Sequence, residues 1–166
     1  MSFERPLRLL STFSALGVEI DVQTFDARFL IQKRAYFLQE FGVDLGYVFG
    51  MYIHGPYSPV LTRDAYNLQD LEYTPEEIKS VSIKTDAIDR TKGFMKDVDE
   101  MISGSKGKIY WLELLASLHF LSKYGYQKVK DLEEARNQTK LASFGSDIDT
   151  GFSLLQRHKL IQVKKH

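Results

Sequence analysis

The residues best placed to do chemistry form one run, His54-Gly55-Pro56-Tyr57-Ser58, with Arg63 shortly after it. A helix that opens after a Gly-Pro turn presents backbone N–H groups, and these bind phosphate or carboxylate well. His54, Tyr57, Ser58 and Arg63 would add donors around such an anion. The competing use of the same groups is architectural. Ser58 before Pro59 is an N-cap before a first helical residue, and a cap consumes the N–H groups that an anion needs.

No complete catalytic set accompanies this run. His54, His119, His158 and His166 include no pair at helical zinc spacing, and the chain has no cysteine. That removes thiolate metal sites, iron–sulfur clusters, disulfides and cysteine nucleophiles together. His119 stands beside Phe120 in an apolar stretch, as a packed histidine would. Ser58 lacks the Gly-x-Ser-x-Gly frame of a nucleophile elbow. Gly104-x-x-Gly107-Lys108 is too short for a phosphate loop, and Ile109 stands where a magnesium-binding hydroxyl belongs. Carboxylate pairs such as Asp86 with Asp89 and Asp97 with Glu100 lie on polar helix faces, with nothing to raise a pKa for acid catalysis. The sequence assigns no catalytic residue, no metal and no cofactor.

Two binding surfaces remain as expectations. The 22 basic and 22 acidic residues cancel overall, yet residues 101–166 hold eleven basic against six acidic. Over 112–166 the expected order of helix, helix, capped helix and terminal strand matches a winged helix. Lys159, Lys164 and Lys165 would then touch phosphates from the wing. Asp147 and Asp149 oppose this, because they stand at the helix end that must enter the groove. A nucleic-acid partner therefore ranks below a protein partner. The second surface is aromatic. Side chains of a strand alternate, which puts Tyr47, Phe49, Met51 and Ile53 inward and Val48, Tyr52 and His54 outward. Tyr52 and Tyr57, near Gln39 and Arg63, are the expected partner surface, since tyrosine is enriched at interface centres.

The elements that position these residues are mostly helices. Periodicity predicts helices over 6–16, 25–41, 59–71, 84–103 and 109–123, with shorter ones over 128–137 and from Ser146. Gly17 and Gly42 are stops, and Thr24 and Ser58 are caps. Thr74-x-x-Glu77 and Ser146-x-x-Asp149 are capping boxes. The helix at 25–41 is apolar around most of its circumference, the mark of a central element. Residues 47–53 form a short strand and 160–163 a terminal one. The polar run 103–108 is the expected joint between two lobes of one compact body, 1–103 and 108–166.

Residues 31–71 carry Lys33, Tyr36-Phe37-Leu38-Gln39, Gly42, Tyr47, Phe49, His54-Gly55-Pro56-Tyr57-Ser58 and Leu61. In these the chain resembles the YwgA-like group of small prokaryotic proteins and, more distantly, the Panacea domain of SocA-type antitoxins. A weaker echo of the YwgA-like group lies in 111–126. The resemblance implies a mainly helical fold of winged-helix-like character, with no reaction or cofactor to carry over. From the Panacea relatives it implies an antitoxin-like or adaptor-like module that acts by contact. The expectation is a mainly α, non-enzymatic protein-interaction module. A winged-helix nucleic-acid regulator comes second, and an enzyme acting on a small anion third. No apolar run approaches the roughly 18–20 residues of a membrane span, and the N-terminus lacks signal-peptide features, so the expected setting is cytoplasmic.

Overall fold

A computed structural model describes residues 4–102, 106–125, 129 and 131–162. In chain order its elements are α1 (Glu4–Leu16), α2 (Phe25–Glu40), β1 (Gly50–Tyr52), β2 (Gly55–Tyr57), α3 (Pro59–Asn67), α4 (Pro75–Ser80) and α5 (Thr85–Met101). There follow α6 (Lys108–Lys123), α7 (Leu132–Arg136), a 3-10 helix (Thr139–Phe144) and α8 (Asp147–Arg157). The fold is mainly α, with β1 and β2 forming one small antiparallel sheet. The chain divides into two units, residues 1–50 with 57–95, and residues 51–56 with 96–166. This division falls inside α5 rather than at the polar run 103–108, whose first three residues lie outside the described ones.

In the first unit, α1 packs on α3 and α4, and α2 packs on α3. Leu9 and Phe13 of α1 meet Ile31, Ala35 and Leu38 of α2 in the core. Phe94 closes one side, with its ring 4.6 Å from that of Phe37 and 5.6 Å from that of Phe41. The helix ends follow their sequence signals. Gly17 donates to Ser14 O and Val18 to Phe13 O; Gly42 donates to Gln39 O and Val43 to Leu38 O. Both are paired closures through a left-handed residue, and φ is +84° at Gly17 and +115° at Gly42. Thr24, Ser58 and Thr74 each cap as expected, Thr74 and Glu77 reciprocally. The helix over 59–71 is shorter than predicted. It stops at Asn67, and Leu71 beyond it is 38% exposed rather than inward.

Residues 41–47 alternate in burial like a strand, with Phe41, Val43, Leu45 and Tyr47 inward. They pair with no strand among the described residues. Instead the Gln39 amide takes both backbone groups of Tyr47: Tyr47 N donates to Oε1 at 2.8 Å, and Nε2 donates to Tyr47 O at 3.0 Å. Two turns earlier on α2, Gln32 treats Ser58 the same way. Ser58 N donates to Oε1 at 2.8 Å and Nε2 donates to Ser58 O at 2.9 Å, with a further bond from Nε2 to Thr62 Oγ1 at 2.8 Å. A primary amide has the geometry of a peptide group, so each glutamine acts as one residue of a missing neighbouring strand.

Between these two clamped residues lies the hairpin, a correction to the expected strand over 47–53. Only Gly50–Tyr52 is strand, and Gly55–Tyr57, expected as a turn before a helix, is its partner. Ile53 and His54 make the reversal. Neither has positive φ, whereas Gly55 is at +95°, the pattern of a type I turn closed by a left-handed glycine. The alternation of faces holds as far as Tyr52 and fails at Ile53. Expected inward, Ile53 sits in the turn and is 82% exposed.

In the second unit α6 packs on α8, and the 3-10 helix and α7 pack beside them. Gly151 of α8 faces Leu114 and Leu115, where an added Cβ would lie 3.4 Å from Leu114 Cδ2, an ordinary van der Waals contact. Ile148, Phe152 and Leu155 bury the expected stripe. The capping box at Ser146 does not form, since Ser146 is itself helical and its side chain accepts nothing. Residues 160–162 are not strand, and Val163 lies outside the described residues. In place of a strand, α8 ends in the same paired closure as α1 and α2. Lys159 donates to Gln156 O and Leu160 to Leu155 O. Lys159 occupies the left-handed position with φ +60°, where the other two helices use glycine.

Two predictions follow from these local arrangements. Gln32→Ala or Gln39→Ala leaves a buried peptide without partners and should each cost about 1–3 kcal/mol in urea unfolding; a change under about 0.5 kcal/mol would contradict the clamp. Lys159→Gly removes a side chain from left-handed backbone and should stabilise by about 1 kcal/mol, visible as a raised unfolding midpoint.

Candidate functional site

The hairpin is built from its feet upward. In the first unit the Gln39 and Gln32 clamps fix residues 47 and 58 on either side of it. Phe49 stands edge-on to Tyr36 of α2, with ring centroids 5.3 Å apart. Gly55 and Pro56 are buried and Tyr57 is half-buried. In the second unit the tip residues are held separately. Nδ1 of His54 lies 3.0 Å from Oε1 of Glu113 on α6, and Lys140 Nζ donates to Ile53 O at 3.0 Å. Two apolar side chains are exposed at the tip, Tyr52 at 50% and Ile53 at 82%, beside a His54 side chain that is 54% exposed. Glu113 and Lys140 give this apolar tip a charged border.

Of the residues expected to bind an anion, Tyr57, Ser58 and Arg63 lie in the first unit, and His54, Gly55 and Pro56 in the second. Ser58 is 1% exposed, and its Oγ accepts from Leu61 N at 3.3 Å, so the cap occupies the N–H that an anion would need. His54 belongs to the second unit and pairs with Glu113, whereas Arg63 belongs to the first and is exposed there. Of the expected partner surface, Tyr52 is exposed and Tyr57 is part of the half-buried foot. Ile53 was missed. A turn residue escapes the strand alternation, and a two-residue reversal ahead of Gly55 is the signal that would have placed it outward. Gln32 was missed as well, because a polar residue on an apolar helix carries no mark of what it clamps.

The expected recognition helix is engaged within the chain. Asp147 at the start of α8 accepts from Tyr110 Oη and Lys106 Nζ, each at 2.5 Å. Asp149 accepts from Arg136 Nε at 3.0 Å and from its Nη2 at 2.6 Å. The bond from Lys106 and then that from Tyr110 hold the Asp147 carboxyl below the usual carboxylate range, and Arg136 does the same to Asp149. Burial first, then the bond to Asp147, pushes the Tyr110 phenol up to about 12. Two of the basic residues counted toward a nucleic-acid surface, Lys106 and Arg136, thus serve α8 itself. Lys159 is exposed beyond α8, while Lys164 and Lys165 lie outside the described residues, as does His166. At the other end of α8, Nε2 of His158 lies 2.7 Å from Oδ2 of Asp97. His119 is buried in α6, 1% exposed.

Among the described residues no group of three or more His, Asp or Glu is arranged to hold a metal ion, and no helix is long and apolar enough to cross a membrane. Comparison with protein-family models, curated proteins and solved structures found no match. The site's own geometry is therefore the basis for a functional reading.

The Tyr110–Asp147 pair makes stability depend on alkaline pH. The folded chain holds the phenol proton more tightly than the unfolded chain, whose tyrosine titrates near pH 10. The contribution is complete below about pH 10 and is lost as pH rises toward about 12. Tyr47, whose phenol burial also pushes up, acts with the same sign. Tyr110→Phe should therefore flatten part of the fall in urea midpoint between about pH 9 and about pH 11.5. An unchanged slope would show that the pair does not form.

Proposed function

We propose that this protein is a non-enzymatic interaction module that engages a protein partner through the tip of the Gly50–Tyr57 hairpin. The observation that carries this reading is the exposure of Tyr52 and Ile53 on a hairpin whose tip backbone and neighbouring His54 are already bonded. Exposed apolar side chains on ordered backbone lose little conformational freedom on binding, so more of their contact energy becomes affinity. An aromatic and an aliphatic side chain bordered by Glu113 and Lys140 have the composition of an interface anchor with a polar rim. The chemistry suits a partner that offers an apolar pocket flanked by charge of both signs.

The resemblance of residues 31–71 to the YwgA-like group and to Panacea domains supports action by contact, and an antitoxin-like or adaptor-like role in the cytoplasm is the finer form of this proposal. Nucleic acid ranks below protein as partner, because the acidic start of α8 is retained and its neighbouring cations are committed to it.

A photo-crosslinking residue placed at Ile53 in the producing cell tests the reading. One discrete protein adduct should form, and it should be lost in a Tyr52→Ala background whose unfolding midpoint is unchanged. No adduct at position 53, or the same adduct from a control position at Glu76 on α4, would overturn it.

A further inference from the structure

An open hollow of about 440 Å³ lies in the first unit, lined by Arg5, Arg63, Asp64, Asn67, Asp70 and Leu71 among others. Its polar groups fall into two kinds. Asp64 is 3% exposed and fully engaged. Its Oδ2 accepts from Arg5 Nε at 2.6 Å and from Tyr47 Oη at 2.8 Å, and its Oδ1 accepts from Arg5 Nη2 at 3.4 Å. The Arg5 guanidinium, also 5.5 Å from the centre of the Tyr47 ring, is thereby fixed in direction. Its side chain stays one-third exposed, with N–H groups to spare. Fixing a guanidinium beforehand lowers the ordering cost of a ligand's carboxylate, which suits its planar fork.

The second kind is unengaged. The Arg63 guanidinium, the Asn67 amide and the Asp70 carboxylate make no side-chain hydrogen bond or ion pair with any described residue, although all three line the same hollow. Arg63 and Asn67 stand four apart on α3 and so share a face. Asp70 follows in the turn, its N–H donating to Asn67 O at 3.0 Å. Arg5 and Asp64 cancel each other, which leaves one cation and one carboxylate unpaired among the described residues. A phosphate or other dianion would meet Asp70 with repulsion. A molecule carrying both an anion and a cation would satisfy both groups, and Leu71, 38% exposed, gives an apolar side chain a surface to rest on.

We infer that this hollow binds a small zwitterion of the amino-acid class, its carboxylate on Arg5 and Arg63 and its ammonium on Asp70. The source is either a free amino acid or the paired termini of a short peptide, and both present the same chemistry. Titration of the full chain with leucine and with glycyl-leucine, followed by amide chemical shifts of α3, tests this and tells the two sources apart. At least one should give saturable shifts in the millimolar range or below. N-acetyl-leucine and leucine amide, each lacking one charge, should bind at least about tenfold more weakly. Arg63→Gln and Asp70→Asn should each weaken binding about tenfold while leaving the unfolding midpoint unchanged, since both side chains are exposed. Absence of saturable shifts with both probes would overturn the inference. So would acetate binding as well as leucine, which would mark a plain anion site, or binding indifferent to both variants.

Discussion

The first unit depends on a peptide-like amide standing in for a strand. Residues 41–47 leave α2 as irregular backbone, and a segment that buries every second side chain also carries buried backbone N–H and C=O groups. Without a neighbouring strand those groups would be costly. Gln39 meets those of Tyr47, and Gln32 meets those of Ser58. Because both glutamines project from one helix, the two residues that flank the hairpin are registered against the same rigid element. The Schellman-type closure of α2 at Gly42 is what brings the chain back far enough for Gln39 to reach Tyr47. Tyr47 then places its hydroxyl on Asp64, which fixes Arg5. One helix with two amides thus underlies the hairpin's feet and, through Tyr47, one wall of the hollow on α3.

The second unit uses charge where the first uses amides. The N-terminus of α8 has no hydroxyl cap, and Asp147 and Asp149 take that place near the positive end of the helix dipole. Each aspartate is tied to a neighbour, Asp147 to Tyr110 and Lys106, and Asp149 to Arg136. The side chains concerned are partly exposed, so each pair contributes little by itself, and together they tie the start of α8 to α6 and α7. The packing that these ties serve is that of the buried Ile148, Phe152 and Leu155 of α8.

Much of this was legible in the sequence, for local reasons. Helix ends at Gly17 and Gly42 and caps at Thr24, Ser58 and Thr74 are decided within a few residues, and all appeared where expected. Long-range pairing was not legible. Nothing in the composition of α2 shows that Gln32 and Gln39 reach residues 26 and 8 positions onward. The same blindness made 47–53 look like one strand instead of an arm and a hairpin. The three paired helix closures teach the converse. Glycine announces two of them, and Lys159 conceals the third, so that in the sequence this helix end reads as the approach to a strand.

The account stands most directly on the two amide clamps, and amide hydrogen exchange reads them one at a time. The N–H groups of Tyr47 and Ser58 belong to no helix, and Tyr47 belongs to no strand either. If the glutamines hold them, both should exchange far more slowly than an unstructured peptide. Gln39→Ala should release Tyr47 selectively, and Gln32→Ala should release Ser58. Exchange of either N–H in the native protein at the rate of a free peptide would contradict the account.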